Sequence, residues 1–291
     1  MMHTLVKNHP WVVGAGVPLL VGGVLALSFG LQPNEATADP PEQVSASHEM
    51  YGHLGEAPFF SSTVSVEAAD LNEDGLLDVA VARAHVQRLD IYLAVDENTF
   101  GEPLSYPCVT PAGVAMSDLD ADGLADVAIA STSAHAVVLM RNEGDGSLAP
   151  WTEIPLPGAP NRVTILDILA NGPFPEILIG DGSDTPMWLA LYDEAQAAWI
   201  VYDVEELERR GIFGWSDCGP EPNCSETPGG PGVQACMAAA RCRAFKCDWA
   251  ACTLHEQGEA GWLETAAAHL ACATIEEAEL VGCLGAVIPL K

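Results

Sequence analysis

Asp70-Leu-Asn72-Glu-Asp74-Gly75-Leu76-Leu-Asp78 and Asp118-Leu-Asp120-Ala-Asp122-Gly123-Leu124-Ala-Asp126 place acidic or amide side chains on alternate positions around a glycine, twice, 48 residues apart. Such a loop offers side-chain oxygens at positions 1, 3, 5 and 9 and a backbone carbonyl at position 7. With a carboxylate binding through both oxygens, those five positions reach the six or more hard ligands that Ca²⁺ prefers, and the glycine at position 6 permits the sharp turn. An Asp- and Gly-rich surface turn accounts for one loose match, whereas two strict matches in register point to a metal. The candidate ligands are Asp70, Asn72, Asp74, Leu76 (through its carbonyl) and Asp78, then Asp118, Asp120, Asp122, Leu124 (likewise) and Asp126. An EF-hand carries a bidentate Glu at position 12 between two helices. Here position 12 is Val81 or Ile129, so that motif is excluded. Val64-Ser-Val66 and Val114-Ala-Met116 precede the loops, and Val79-Ala-Val81-Ala and Val127-Ala-Ile129-Ala follow them. These short β-branched or alternating runs read as strands, so each loop bridges two strands.

A second element recurs with the loops. Asp96-Glu-Asn98-Thr-Phe100-Gly101 and Asn142-Glu-Gly144-Asp145-Gly146-Ser-Leu148 each read as the turn of a following hairpin. The unit of strand, D-x-[DN]-x-D-G-x-x-D loop, strand and turn-bearing hairpin resembles the FG-GAP/VCBS repeat of integrin α-like β-propellers. The resemblance covers roughly residues 59–204. It implies a mainly β chain with about three four-stranded propeller-type blades, a partial β-propeller, whose first two loops bind Ca²⁺. A third copy, Val163-Thr-Ile165-Leu-Asp167-Ile-Leu169-Ala-Asn171-Gly172-Pro-Phe-Pro-Glu176-Ile, is decayed. With Asp167 taken as position 1, Leu169 stands where the second ligand belongs, and one residue is gained before the last carboxylate. Weak or no calcium binding is expected there, with Asp167 and Asn171 as turn formers.

The chain carries 11 Lys plus Arg against 41 Asp plus Glu, a formal charge of −30. That balance argues against nucleic acid or an anionic membrane surface as partner and favours cations. Residues 11–31 form an uncharged apolar run after Lys7 and are followed by Ala36-Thr37-Ala38, the pattern of a secretory signal. The run is also long enough to span a bilayer, so residues 1–38 read as a signal peptide or a signal anchor. Either way the rest of the chain is expected to be secreted, periplasmic or exposed on the cell envelope. Residues 39–58 read as a linker or an extra strand.

Composition changes after the repeats. Residues 205–232 hold Gly219-Pro-Glu-Pro222 and Pro228-Gly-Gly-Pro-Gly232, a linker by content. From Cys218 onward the chain contains eight of its nine cysteines, an even number that reads as a disulfide framework. Zinc and c-type haem are disfavoured because no C-x-x-C pair occurs. Residues 233–291 read as a small disulfide-rich helical domain: Gln234–His255 and Trp262–Cys283 are Ala-rich segments with few breakers, joined as a hairpin. Cys236 and Cys247 are 11 residues apart, as are Cys272 and Cys283, close to three helical turns. Each pair therefore shares one helix face, and an antiparallel hairpin predicts the bridges Cys247–Cys272 and Cys236–Cys283. The pairing of Cys218, Cys224, Cys242 and Cys252 stays open.

No G-x-S-x-G, H-E-x-x-H or Gly-rich phosphate loop is present, and His53, His85, His135, His255 and His269 lack a repeated partner spacing. No enzyme activity is expected. Cys108, unpaired by count, reads as a small buried hydrophobe, or as an intermolecular link if exposed. Three blades do not close a ring, so their outer faces need cover. The candidates are residues 39–58, the Cys-rich segment, a second copy of the chain, or a partner chain that completes the propeller. The expected function is that of an extracytoplasmic calcium-binding repeat protein in binding, adhesion or surface assembly, with a protein or glycan ligand. The alternative is a catalytic or non-catalytic subunit of a secreted propeller enzyme of hydrolase or lyase type.

Overall fold

The computed structural model describes residues 65–167, 169, 173–182, 187–210, 218, 221–226, 232–257, 262–285, 287–288 and 290. The expected signal or anchor segment, the 39–58 segment, His53 and half of the 205–232 linker lie outside the described residues.

Three four-stranded antiparallel sheets follow one another along the chain. Blade 1 contains β1 (Ser65–Ala69), β2 (Asp78–Arg83) and β3 (Arg88–Tyr92). A two-stranded ribbon of β4 (Ala94–Asp96) and β5 (Thr99–Phe100) then leads to its outer strand, β6 (Leu104–Pro107). Blade 2 is β7 (Pro111–Ser117), β8 (Asp126–Ser131), β9 (Ala136–Asn142) and β10 (Leu148–Pro155). Blade 3 is β11 (Arg162–Leu166), β12 (Glu176–Gly180), β13 (Met187–Asp193) and β14 (Ala198–Asp203). Helix α1 (Val204–Arg210) leads out of blade 3, and the C-terminal hairpin pairs α2 (Val233–Glu256) with α3 (Trp262–Leu284).

The central strands are buried on both faces, and their period-two alternation divides each between two seams. Ala80 and Ala82 of β2 meet Val127 and Ile129 of β8 between blades 1 and 2. Ala128 and Ala130 of β8 meet Ile177 and Ile179 of β12 between blades 2 and 3. The inner strands approach closely. A Cβ on Gly113 of β7 would stand 3.0 Å from the Cα of Arg162 on β11, so only glycine fits there without movement.

The two outward faces are closed by the hairpin. Val79 and Val81 of blade 1 pack with Met237 and Ala240 of α2 and with Leu280 and Leu284 of α3. Leu178, Leu189 and Leu191 of blade 3 pack with Ala266 and Leu270 at the other end of α3. Helix α3 thus reaches from the first blade to the third. Of the expected covers, the Cys-rich segment performs this role.

Both predicted hairpin bridges are present, Cys236–Cys283 and Cys247–Cys272, with Cα separations of 5.7 and 5.6 Å. The remaining four cysteines pair as Cys218–Cys252 and Cys224–Cys242, tying the incoming chain to α2. Four disulfides fit an oxidising, extracytoplasmic compartment. Among the described residues no helix is long and apolar enough to cross a membrane. Cys108 is buried in the seam between blades 1 and 2, which raises its thiol to about 11 and removes the intermolecular-link reading.

Candidate metal centre

The two acidic loops join β1 to β2 and β7 to β8, and their backbones repeat each other closely. Glu73 and Ala121 at position 4 have φ of 57° and 62°, and Gly75 and Gly123 at position 6 have φ of 86° and 93°. A Cβ on either glycine would meet nothing within 4 Å, so the turn demands glycine for its left-handed conformation and not for space. In the first loop Asp70 accepts hydrogen bonds from the Asp74 and Gly75 amides, at 3.2 and 2.8 Å. Asp118 accepts from Asp122 and Gly123 at 3.2 and 2.9 Å. The position-5 carboxylates, Asp74 and Asp122, accept from the Leu76 and Leu124 amides at 2.8 and 2.9 Å.

The position-9 carboxylates do something the motif alone does not reveal. Asp78 accepts from the Leu71 amide and from the Ala94 amide in β4, each at 2.8 Å. Asp126 accepts from Leu119 at 3.2 Å and from Asn142, at the end of β9, at 2.9 Å. Each aspartate therefore ties the loop to the strand beyond it. Both are fully buried. Burial pushes each carboxyl up to about 6, aided by neighbouring acids and opposed by the two amide donors. Asn142 extends the network, since its amide donates to the Leu71 carbonyl at 2.8 Å and so joins blade 2 to the first loop.

Asp118, Asp120 and Asp126 present carboxylate oxygens that all lie within 4.8 Å of one another, the one such acidic group among the described residues. Asp122 and the Leu124 carbonyl lie on the same loop but outside that group. In the first loop the Asn72 amide donates to Asp74 at 3.1 Å, and Asp70, Asp74 and Asp78 do not come together in such a group. The donors suit a hard cation, being oxygens throughout. Asp120 Oδ1 is buried and accepts no hydrogen bond, an oxygen that a cation would satisfy. Its other oxygen pairs with Arg141 Nε at 2.7 Å.

The third loop corrects the sequence expectation. The amide of Leu169 donates to Glu176 at 3.1 Å, as Leu71 does to Asp78 and Leu119 to Asp126, always across seven residues. Leu169 is therefore position 2 and not position 3, and it is buried like Leu71 and Leu119. The extra residue lies ahead of Leu169: Leu166 pairs with Glu176 where Ala69 pairs with Asp78 and Ser117 with Asp126. In this frame positions 1, 3 and 5 are Ile168, Ala170 and Gly172. Only the buried carboxylate of Glu176 survives, as a pin. Asp167 precedes the loop, and Asn171 lies outside the described residues.

Sequence reasoning overlooked Arg141, Asn142 and Gln234. The Gln234 side chain accepts from the Leu77 amide at 2.7 Å and donates to the Leu77 carbonyl at 2.9 Å, anchoring the start of α2 to the first loop. A shift of 48 residues would have singled out Arg141, which falls opposite Leu93 just as Asp120 falls opposite Asn72. Gln234 has no such signal, because its partner is 157 residues away. His85 and His135 sit at strand turns, and His269 pairs with Asp248 at 2.7 Å inside the hairpin.

Residues 118–179 match the family model of the FG-GAP-like repeat. That segment is similar to an FG-GAP-like repeat. It holds the second loop and the strands on both sides of the blade 2–3 seam, so the repeat resemblance and the observed blades coincide. No curated protein matches the chain. Two solved structures are similar over about half of it. One is BBS1N in complex with ARL6DN soaked with lead, 17% identical with a TM-score of 0.35, covering 50% of this chain and 44% of that one. The other is the same complex soaked with mercury, 16% identical with a TM-score of 0.34, covering 48% and 38%. The chain thus spans less than half the length of either solved chain, and a likeness of that size adds nothing to the fold described above.

Proposed function

We propose that this protein is an extracytoplasmic, non-catalytic binding or assembly module whose first two FG-GAP repeats take up Ca²⁺. The observation that carries it is the shared loop geometry: two loops with matching left-handed residues, matching amide-to-carboxylate bonds and an all-oxygen donor set. Asp70, Asn72, Asp74, Asp78 and the Leu76 carbonyl would hold one ion. Asp118, Asp120, Asp122, Asp126 and the Leu124 carbonyl would hold the other. The ion supplies positive charge among carboxylates that otherwise repel, and so favours the folded blade by mass action.

The chain's own residues fix where that gain is felt. Asp78 and Asp126 reach from loop to following strand, Asn142 reaches from blade 2 to the first loop, and Gln234 reaches from the hairpin to the same loop. Secretion, through the N-terminal apolar segment, is consistent with the four disulfides and with the availability of calcium outside the cytoplasm. The faces of blades 1 and 3 are covered from within the chain, which favours a self-contained unit over one completed by another propeller. A protein or glycan ligand is then expected on the blade rims and loops. Thermal unfolding in EDTA and in millimolar calcium tests the metal assignment: a higher melting temperature in calcium is expected, and superimposable curves would refute it.

A further inference from the structure

Arg141, near the end of β9, has its Nε 2.7 Å from Asp120 Oδ2 and its guanidinium carbon 4.6 Å from the centre of the Trp151 ring on β10. Asp120 is 17% exposed and Arg141 46%. One oxygen of the position-3 carboxylate is therefore held by a cation of the protein itself, while the other is buried without a hydrogen bond beside Asp118 and Asp126.

The first repeat differs at both positions together. Forty-eight residues earlier, Asn72 stands for Asp120 and Leu93 for Arg141. A neutral ligand there coincides with the absence of a guanidinium, and a charged ligand in the second loop coincides with its presence. The first loop offers three ligand carboxylates, and the second offers four with one already neutralised. Two cations competing for one carboxylate at contact distance repel strongly where screening by water is incomplete.

We propose that Arg141 is a built-in competitor for calcium at the second loop. Binding of the ion draws Asp120 away, and the guanidinium, half exposed, remains on the Trp151 ring without a buried charge being stranded. This rests on the calcium reading above and adds to it a residue that sets affinity and an optical reporter of occupancy.

The test uses the whole chain with D70N and D74N, which silence the first loop, and reads calcium by calorimetry and tryptophan emission. R141L, which installs the first repeat's residue, is expected to bind about tenfold tighter, within the usual range for coupled sites. R141K keeps the charge and is expected to stay within about threefold of the parent, so that the gain follows charge and not lost packing. Calcium is expected to change emission in the parent but not in R141L or W151F. Equal or weaker binding by R141L, with the parent still binding, would overturn the proposal. Absence of binding in the wild-type protein, the parent and R141L alike would instead refute the calcium reading, and the competitor role with it.

Discussion

At the scale of single residues, the position-9 and position-3 aspartates of the second loop carry different roles that substitution can separate. Asp126 accepts two backbone amides in a fully buried site, whereas Asp120 accepts none and is paired only with half-exposed Arg141. Asp126→Ala leaves two buried donors unsatisfied and is expected to cost about 2–4 kcal/mol even in EDTA. Asp120→Ala breaks a partly exposed ion pair and is expected to change the EDTA stability by less than about 1 kcal/mol, while removing the expected stabilisation by calcium at that loop. Chemical denaturation of both variants with and without calcium measures the contrast. The alternation of oxygens around Gly75 and Gly123 is plain in the sequence because each ligand is a distinct residue type. The third loop is less legible: Asp167 imitates a first ligand, and only the Leu169 amide on Glu176 reveals where the frame lies.

Among the elements, the hairpin illustrates both what spacing can and cannot reveal. Eleven-residue intervals place Cys236 with Cys247 and Cys272 with Cys283 on helix faces, and the observed bridges follow from antiparallel pairing. What the hairpin docks against is not written in its Ala-rich pattern, because small residues suit many surfaces equally. The docking interface is also acidic. Burial pushes Glu276 and Glu277 of α3 each up to about 7 and holds Glu67 of β1 well above the carboxylate range. Arg241 faces Glu276 at 3.8 Å, with Asp248 and Glu279 also near it. Glu277 faces Arg162 and the Ser65 hydroxyl. A carboxyl whose folded pKa is raised contributes stability that is fully present below its unfolded value and is lost as pH rises through the folded one. In EDTA the protein is therefore expected to lose stability between about pH 5 and pH 8, with Glu276 accounting for about 3 kcal/mol. Glu276→Gln should flatten that part of the profile; an unchanged slope would show that Glu276 titrates normally.

For the whole molecule, three blades and a hairpin pack together among the described residues, and the proposed calcium sites would link their stability to the ion. The 48-residue repeat makes the blades legible, and the composition break makes the helical segment legible as a separate piece of sequence. Their union is not, because it depends on contacts such as Val79 with Leu280 and Leu178 with Leu270, which join distant parts of the chain. The formal charge of −30 adds a general repulsion that bound cations would relieve in part. The most direct measurement is calorimetric titration of the oxidised, metal-stripped protein with calcium. Two ions per chain are expected, one lost with D70N and D74N and the other with D118N and D122N. No binding, or binding that survives all four substitutions, would contradict that expectation.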